Sequence, residues 1–577
     1  MGSGGRGGFG YVALGEGTFL PNYKISRTFQ VLDNLSIVTG RQTIKIGVDL
    51  RSIQSDIIGA PQTRGIFDFN GKFTGSSFGD FLLGMTNTRQ SSTFQRGALR
   101  DRSYMFFVQD DVRIAPRLTF NLGLRYELNS PTFDAADRMT TLDMDLFPAV
   151  RVLRAGERGD SWSARALVDT DTNNWAPRIG FAYQLSPRWT VRGAGGVFYG
   201  TTGGVLGASS RLINNWPIFR QVTIRSTPTQ SAGQLADGLD ASVLGDETTM
   251  PANLNWNVWA RDFKLPAIYQ WNLSVQRQLA DTVVVTSSYV GSSSKYLPRV
   301  YNINSAYLGD PRTERQRRPA PTLGTVSFRE PSAAASYHGL EVTLDKRLAR
   351  GTQLSFAYTW SHSIDDVQEL FGAEGGIVQD VHNLQNDRGH SAFDRRHRLG
   401  ASFVVEFPFG SGRRWLSDRP LLGTIAGGWQ LSGIVSIQSG AFYDVTVPDP
   451  TTALGVTSST WRADLVGNPT LDHPTPDGWL HRAAFSVPRH SDGTYRFGNL
   501  ARNALEGPGY ANVDVGLMKT VRVGDQKRLQ VRCEVFNVLN HPSYGLPNAN
   551  LLSPDFGTIR TTISTPRQMQ FGAKFIF

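Results

Sequence analysis

The 577-residue sequence contains a single cysteine, Cys533, so no disulfide can form within the chain and a disulfide scaffold is excluded. No apolar run reaches the roughly 18 residues that a membrane-crossing helix needs, which excludes a helical membrane protein. Charged residues are few, 19% against a usual ~25%. Lysine is scarcest, supplying nine of the 59 cationic residues. There is no Walker loop, His-Glu-x-x-His motif, paired-cysteine metal spacing or Gly-x-Ser-x-Gly elbow, so the common signatures of nucleotide, zinc and serine-hydrolase chemistry are missing. The stretch Met1–Gly17 (MGSGGRGGFGYVALGEG) holds no apolar segment of signal-peptide type.

The composition that remains suits strands and turns. Glycine is abundant, at 60 residues, and aromatics make up 11% of the chain, which argues against wholesale disorder. The net charge of +10 comes from arginines dispersed along the chain rather than gathered on one element, so no nucleic-acid partner is expected.

Alternation with period two runs through most of the sequence. In Leu118–Glu127 the residues Leu118, Phe120, Leu122, Leu124 and Tyr126 are apolar or aromatic, while Thr119, Asn121, Gly123, Arg125 and Glu127 are polar or glycine. Met569, Phe571, Ala573, Phe575 and Phe577 likewise alternate with Gln568, Gln570, Gly572, Lys574 and Ile576. Such segments are strands lying between two different media. Similar patterns occur around 43–50, 178–185, 353–360 and 528–535.

The connections identify the medium. Short polar turns are expected near 40–42, 115–117, 186–188, 280–281, 349–351 and 524–526, with a longer one at 410–420. Between them lie long connections at about 52–100, 128–174, 200–265, 292–335, 363–395, 439–508 and 539–566. Short turn, strand, long loop, strand recurs seven times, an order that soluble domains rarely show and outer-membrane barrels do. Trp175, Trp189, Tyr199, Trp271, Tyr289, Trp360 and Trp429 fall near strand ends, where girdle aromatics sit. The expected fold is all-β: a transmembrane antiparallel β-barrel of about 15–18 strands over residues 24–577, with long extracellular loops. Residues 1–23 form a flexible Gly-rich tail or an outer loop. By strand direction this N-terminal stretch lies outside, from which a missing N-terminal part of the parent protein is expected, since bacterial barrels close with an even number of strands.

Within the loops, Phe67–Phe73 and Ile218–Ile224 are candidates for further strands, and Phe78, Phe81, Leu82 and Met85 have the spacing of a short amphipathic helix. The basic stretch Pro311–Pro321 reads as a solvated loop.

Four segments carry a family resemblance. Tyr104–Glu127 (YMFFVQDDVRIAPRLTFNLGLRYE) resembles a hairpin of TonB-dependent outer-membrane receptors, with Val112 where that family often has Trp. Phe393–Gly400 (FDRRHRLG), Arg502–Lys519 and Glu534–Pro547 (EVFNVLNHPSYGLP) resemble later segments of the same barrels, with Tyr544 in place of a Phe. Phe571, Phe575 and Phe577 look like the C-terminal signal read by the barrel-assembly machinery. The chain is most similar to receptors of the carboxypeptidase-regulatory-like, Oar-like subgroup. The resemblance implies a 22-strand barrel in the cell outer membrane of Gram-negative type, with lipid and lipopolysaccharide around it. It also implies a plug, a TonB box and energised uptake of a large substrate such as an oligosaccharide or metal chelate. Neither plug nor TonB box is found in this sequence, so the TonB complex would act through a plug lying elsewhere.

On this reading the lumen is lined by Arg125, Arg178, Arg192, Gln270, Gln276, Asp345, Arg528, Arg532 and Lys574. In the outer loops Trp216, Trp256, Trp259 and Trp461 either stack on a ligand or pack within the loops themselves. No cofactor and no catalytic residue is expected. The rival reading is a surface adhesion or structural barrel that transports nothing. A soluble carbohydrate-binding protein or hydrolase is weaker still, since nothing nominates the carboxylate pair that glycoside hydrolysis wants.

Other motifs mislead. Gly2–Gly7 satisfies Gly-x-Gly-x-x-Gly without the flanking strand and helix of a dinucleotide site. His390 and His397, with Asp387 and Asp394, stand among Arg388, Arg395, Arg396 and Arg398, whose charges oppose a cation. Asp365, Asp366 and Asp380 lack the Gly and Glu of a defined calcium loop. No metal site is therefore expected.

Overall fold

A computed structural model describes residues 14–15, 20, 22–59, 62–200, 209–238, 244–245, 247–308, 313–367, 378–410, 412–418, 420–448, 460–523 and 527–577. Fifteen strands follow one another in chain order: β1 (Asn22–Thr39), β2 (Gln42–Gly59), β3 (Gln95–Ala115), β4 (Leu118–Asn129), β5 (Trp175–Ser186), β6 (Trp189–Tyr199), β7 (Ala267–Ala280), β8 (Val283–Asn302), β9 (Leu323–Ala349), β10 (Thr352–Asp365), β11 (His397–Glu406), β12 (Trp429–Gln438), β13 (Tyr510–Arg522), β14 (Arg528–Phe536) and β15 (Gln568–Ile576). Each pairs antiparallel with the one before it, so the wall is an up-and-down meander. Phe133–Asp134, Leu254–Trp259 and Gly389–His390 join the same sheet at its looped margin. Among the described residues no register joins β1 to β15, and β1 is exposed along its whole length.

Turn chemistry accounts for the short connections. Arg350 (φ 52°) and Gly351 (φ 75°) both sit in the left-handed region between β9 and β10, as a type I′ hairpin turn requires. Pro116-Arg117 and Pro187-Arg188 use proline instead, and each adjoins an irregular register at the strand end. The turn expected at 524–526 and the Gly-rich motif at 2–7 lie outside the described residues. So does most of the expected N-terminal tail.

The strands outrun the expected lengths. β9 has 27 residues and β8 has 20, whereas about 10 tilted residues cross an outer membrane. Consequently only residues 303–322 connect β8 to β9, and the expected loop at 292–335 is mostly strand. Apolar alternation stops at Ser292-Ser293-Ser294, where the lipid-facing signal ends, but backbone pairing continues above it.

The loops are built rather than structureless. Ile66–Asp68, Thr88–Ser92 and Gln221–Arg225 form a small separate sheet, so the candidate strands at 67–73 and 218–224 exist only in part and outside the wall. The helix Ser77–Leu82 is N-capped by Ser76. Phe81 packs edge-on against Phe69 at 5.4 Å, while Phe78 and Leu82 stay exposed. Three apolar cores hold the loops together. One joins Leu99, Met139, Leu212, Ile213 and Trp259, a second Leu142, Trp216, Trp256 and Leu323, and a third Val445, Val447, Phe485, Leu500 and Phe556.

Asp134 anchors the loop between β4 and β5 to the wall. It is fully buried and accepts hydrogen bonds from the Ala98 amide (2.6 Å), the Ala136 amide (2.9 Å) and both arms of the Arg138 guanidinium (3.0 Å each). Burial alone would raise its carboxyl pKa, but Arg138 and the two amides outweigh it and hold it below the ordinary 3.8. With the folded value below the unfolded one, this stabilisation is complete above pH 3.8 and is lost as pH falls through the folded value. Asp134→Asn should speed hydrogen exchange at the Ala98 and Ala136 amides at neutral pH and remove its acid dependence. Wild-type exchange rates in the variant would refute this anchor.

Candidate functional site

Directly paired residues share a sheet face, so the registers sort every side chain on the wall. One row across β2 to β10 reads Lys45, Gln109, Gly123, Arg178, Gly196, Gln270, Ser292, Tyr337 and Ser363. The neighbouring row reads Ile44, Asp110, Leu122, Ile179, Gly195, Trp271, Gly291, His338 and His362. The first is polar or glycine apart from Tyr337; the second is mainly apolar and aromatic, with small residues beneath rings. At Gly291 a Cβ would lie 2.4 Å from the Trp271 indole, so the ring covers a position where only glycine fits.

The nine candidate lumen residues, Arg125, Arg178, Arg192, Gln270, Gln276, Asp345, Arg528, Arg532 and Lys574, all fall on the polar face. Phe571 and Phe575 fall on the other face, beside Cys533 and Leu529, and Phe577 follows the end of β15. Trp175, Trp189, Tyr199, Trp271, Tyr289, Trp360 and Trp429 also occupy the apolar face. At the short-turn margin Lys519 lies 4.7 Å from the Trp429 ring centroid, and its Nζ donates to the Ile425 carbonyl at 2.6 Å. Arg277 covers Trp189 at 4.8 Å. Cations lying over girdle rings are the arrangement of an interface where apolar surface gives way to water.

Charges on the polar face are tied across and along strands. Asp49 accepts from Gln30 at 2.9 Å and from Arg51 at 3.0 Å, Arg125 donates to Glu127 at 2.7 Å, and Asp111 accepts from Asn121 at 2.6 Å. Asp49, Arg51, Asp111 and Glu127 were not among the expected lumen residues. The alternation of Lys45 and Asp49 with Ile44, Ile46, Val48 and Leu50 was the signal that places the β2 pair.

The outer-loop tryptophans are packed, not displayed. Trp216, Trp256, Trp259 and Trp461 are 8%, 1%, 5% and 0% exposed. The stacking role expected of them gives way to the packing alternative, because their rings fill the loop cores. The basic stretch is solvated only in part, with Thr313, Arg315 and Gln316 exposed. Over its described part, Arg317 is buried and donates to the Tyr307 carbonyl, Arg318 pairs with Glu314 at 2.6 Å, and Arg315 donates to the Pro321 carbonyl at 2.8 Å. Of the acidic trio, Asp365 is bound by Arg502 and Asp366 by Arg299, which leaves no calcium cage.

A polar face and an apolar face over fifteen strands, with aromatics on the apolar side, describe a barrel wall in a membrane. A family model described as an outer membrane beta barrel domain matches residues 5–570. The chain belongs to this family. Its location is the cell outer membrane, and its all-β antiparallel wall is that of an outer-membrane barrel domain.

This barrel domain is similar in structure to the outer membrane transporter YddB from Escherichia coli, at 10% identity and TM-score 0.52, covering 96% of this chain and 54% of that one. The ferric enterobactin receptor PfeA of Pseudomonas aeruginosa gives 14% identity, the same two coverages and a TM-score of 0.46. The FrpB iron transporter of Neisseria meningitidis gives 12%, 96%, 55% and 0.40. The chain therefore spans about half the length of these structures, and the likeness to YddB is a likeness of fold. No curated protein matches by sequence.

Proposed function

We propose that this chain is the barrel wall of a TonB-dependent receptor that takes up a large substrate across the outer membrane. The single observation that carries the reading is the continuous polar face. Nine charged or amide side chains chosen as lumen-lining share it, as a water-filled or plugged interior requires and a lipid face forbids. On this reading Arg125, Arg178, Arg192 and Gln270 meet plug or passing substrate, and the phenylalanines at the end of β15 are read by the assembly machinery.

The two free edges bear on the same reading. Unpaired backbone groups are not tolerated in hydrocarbon. β1 and β15 run in the same direction, so antiparallel closure takes an odd number of further strands, whichever segment or chain supplies them.

The test is uptake. Cells lacking the gene, complemented with the native gene or with an Arg178→Ala/Gln270→Ala variant, would be given a panel of ferric chelates and oligosaccharides. The reading expects one substrate class to enter only with the native gene, and entry to stop with a protonophore. The packed outer loops favour the adhesion reading as second choice. Unchanged uptake of every class, with loss of surface attachment in the deletion strain, would put adhesion first.

A further inference from the structure

Above the girdle on the apolar face, one side chain of β10 meets two from the segment that leads into β11. His362 follows Trp360 by two residues on β10 and has the same facing. His390 lies in the short strand Gly389–His390 that pairs with the end of β10, opposite Ile364. Asp394 occupies the turn that leads into β11. The Nδ1 atoms of His362 and His390 lie 3.1 and 3.2 Å from the same Asp394 oxygen, Oδ2. One ligand atom from each of the three residues falls within 4.8 Å of the others.

The backbone around the cluster is held from several sides. Ser363 and Ser391 share a hydroxyl hydrogen bond of 2.8 Å, and the Asn503 amide donates to the His390 carbonyl at 2.6 Å. The His390 ring stacks on Phe442 at 3.9 Å between centroids. Asp394 is 2% exposed, and its other carboxylate oxygen, Oδ1, is buried without a hydrogen-bond partner. The arginine next to it in sequence is turned to the backbone: Arg395 Nη1 donates to the main-chain carbonyls of Ala392 and Asp394. A buried carboxylate with an unsatisfied oxygen is costly, and in native structures an ion or water commonly accounts for it.

We propose that His362, His390 and Asp394 form a binding site for a divalent transition-metal ion of the zinc type. Two imidazole nitrogens and one carboxylate oxygen are the donor set that such borderline ions take, with further positions left for water or an incoming ligand. Metal–ligand bonds of about 2.0–2.2 Å place neighbouring donors roughly 3.0–3.5 Å apart, which the two Nδ1–Oδ2 separations match, while the full set lies within 4.8 Å. The side chains of His362 and His390 remain 31% and 26% exposed, which gives the ion a path in. The sequence objection, that four arginines crowd this stretch, was raised for His390 and His397 with Asp387 and Asp394; of these, His397 hydrogen-bonds Tyr358 and stands outside the cluster. Arg396 still acts electrostatically on His362 and weakens the site without filling it. The proposal does not depend on what the barrel transports.

The test uses the full chain in detergent, stripped with chelator and titrated with Zn²⁺ by calorimetry and with Co²⁺ by visible absorption. One equivalent should bind, with each imidazole turned to its Nε2–H tautomer so that Nδ1 is free to ligate. His362→Gln, His390→Gln and Asp394→Asn should each weaken binding about 100-fold or more, the upper end of what even outer-shell changes cost. His397→Gln should bind as the wild type does. Retention of the wild type's heat-modifiable gel mobility shows that a variant is folded. Failure of the folded wild type to bind, or equal binding by folded Asp394→Asn, would overturn the site and leave a hydrogen-bonded His–Asp–His cluster.

Discussion

Replacing Leu273 by Arg should lower the stability of the folded barrel by about 2–4 kcal/mol, the usual cost of a cation on the lipid face near mid-depth. Leu273 lies halfway along β7, pairs with Gly193 on one side and Tyr289 on the other, and is 48% exposed. Gln276→Arg, three residues along the same strand, should cost almost nothing, because it adds the same cation to the polar face. Urea unfolding of the full chain in lipid vesicles measures both. The same logic at the last hairpin predicts that Phe575→Arg blocks membrane assembly whereas Arg532→Gln does not, since the registers put the two side chains on opposite faces. Equal losses within either pair would undo the assignment of faces.

Those faces were legible in the sequence because the wall separates two media, and period-two alternation is the direct consequence. Ile44 to Leu50 and Leu118 to Glu127 show it residue by residue, and proline or glycine turns mark where the chain reverses. Strand ends were less legible. Beyond Ser292 the apolar alternation of β8 stops while its pairing with β9 continues. The loop cores were hidden for a different reason: the burial of Trp216 against Leu142 and Leu323 joins segments separated by scores of residues, and a lone tryptophan in a polar loop looks the same whether it packs or protrudes. The His362 cluster was missed on similar grounds. Sequence reading paired His390 with His397 by proximity, whereas register along β10 and its short partner strand is what brings in His362.

The largest effect in the outer loops is expected at Asp387. Its carboxylate pairs with Arg462 at 2.7 Å, and both side chains are nearly inaccessible to water. Arg462 also donates to the carbonyls of Leu500 (2.9 Å) and Asn386 (2.7 Å), while Arg502 bonds the Asp387 carbonyl and the Asp365 carboxylate at the end of β10. These buried ions tie the 460–506 segment to the 378–390 segment and thence to the wall. Asp387→Ala leaves the Arg462 charge buried without its partner, a loss of about 3–5 kcal/mol. Residues 460–506 should then become sensitive to limited proteolysis. The wall should survive, because the pairing of β12 with β13 does not pass through this network. Arg462→Met combined with Asp387→Leu removes both charges and should restore much of the protection, since a buried pair replaced by apolar side chains is often neutral or better. Protease resistance of Asp387→Ala equal to the wild type would show that apolar packing of Trp461 and its neighbours holds the unit without the ions.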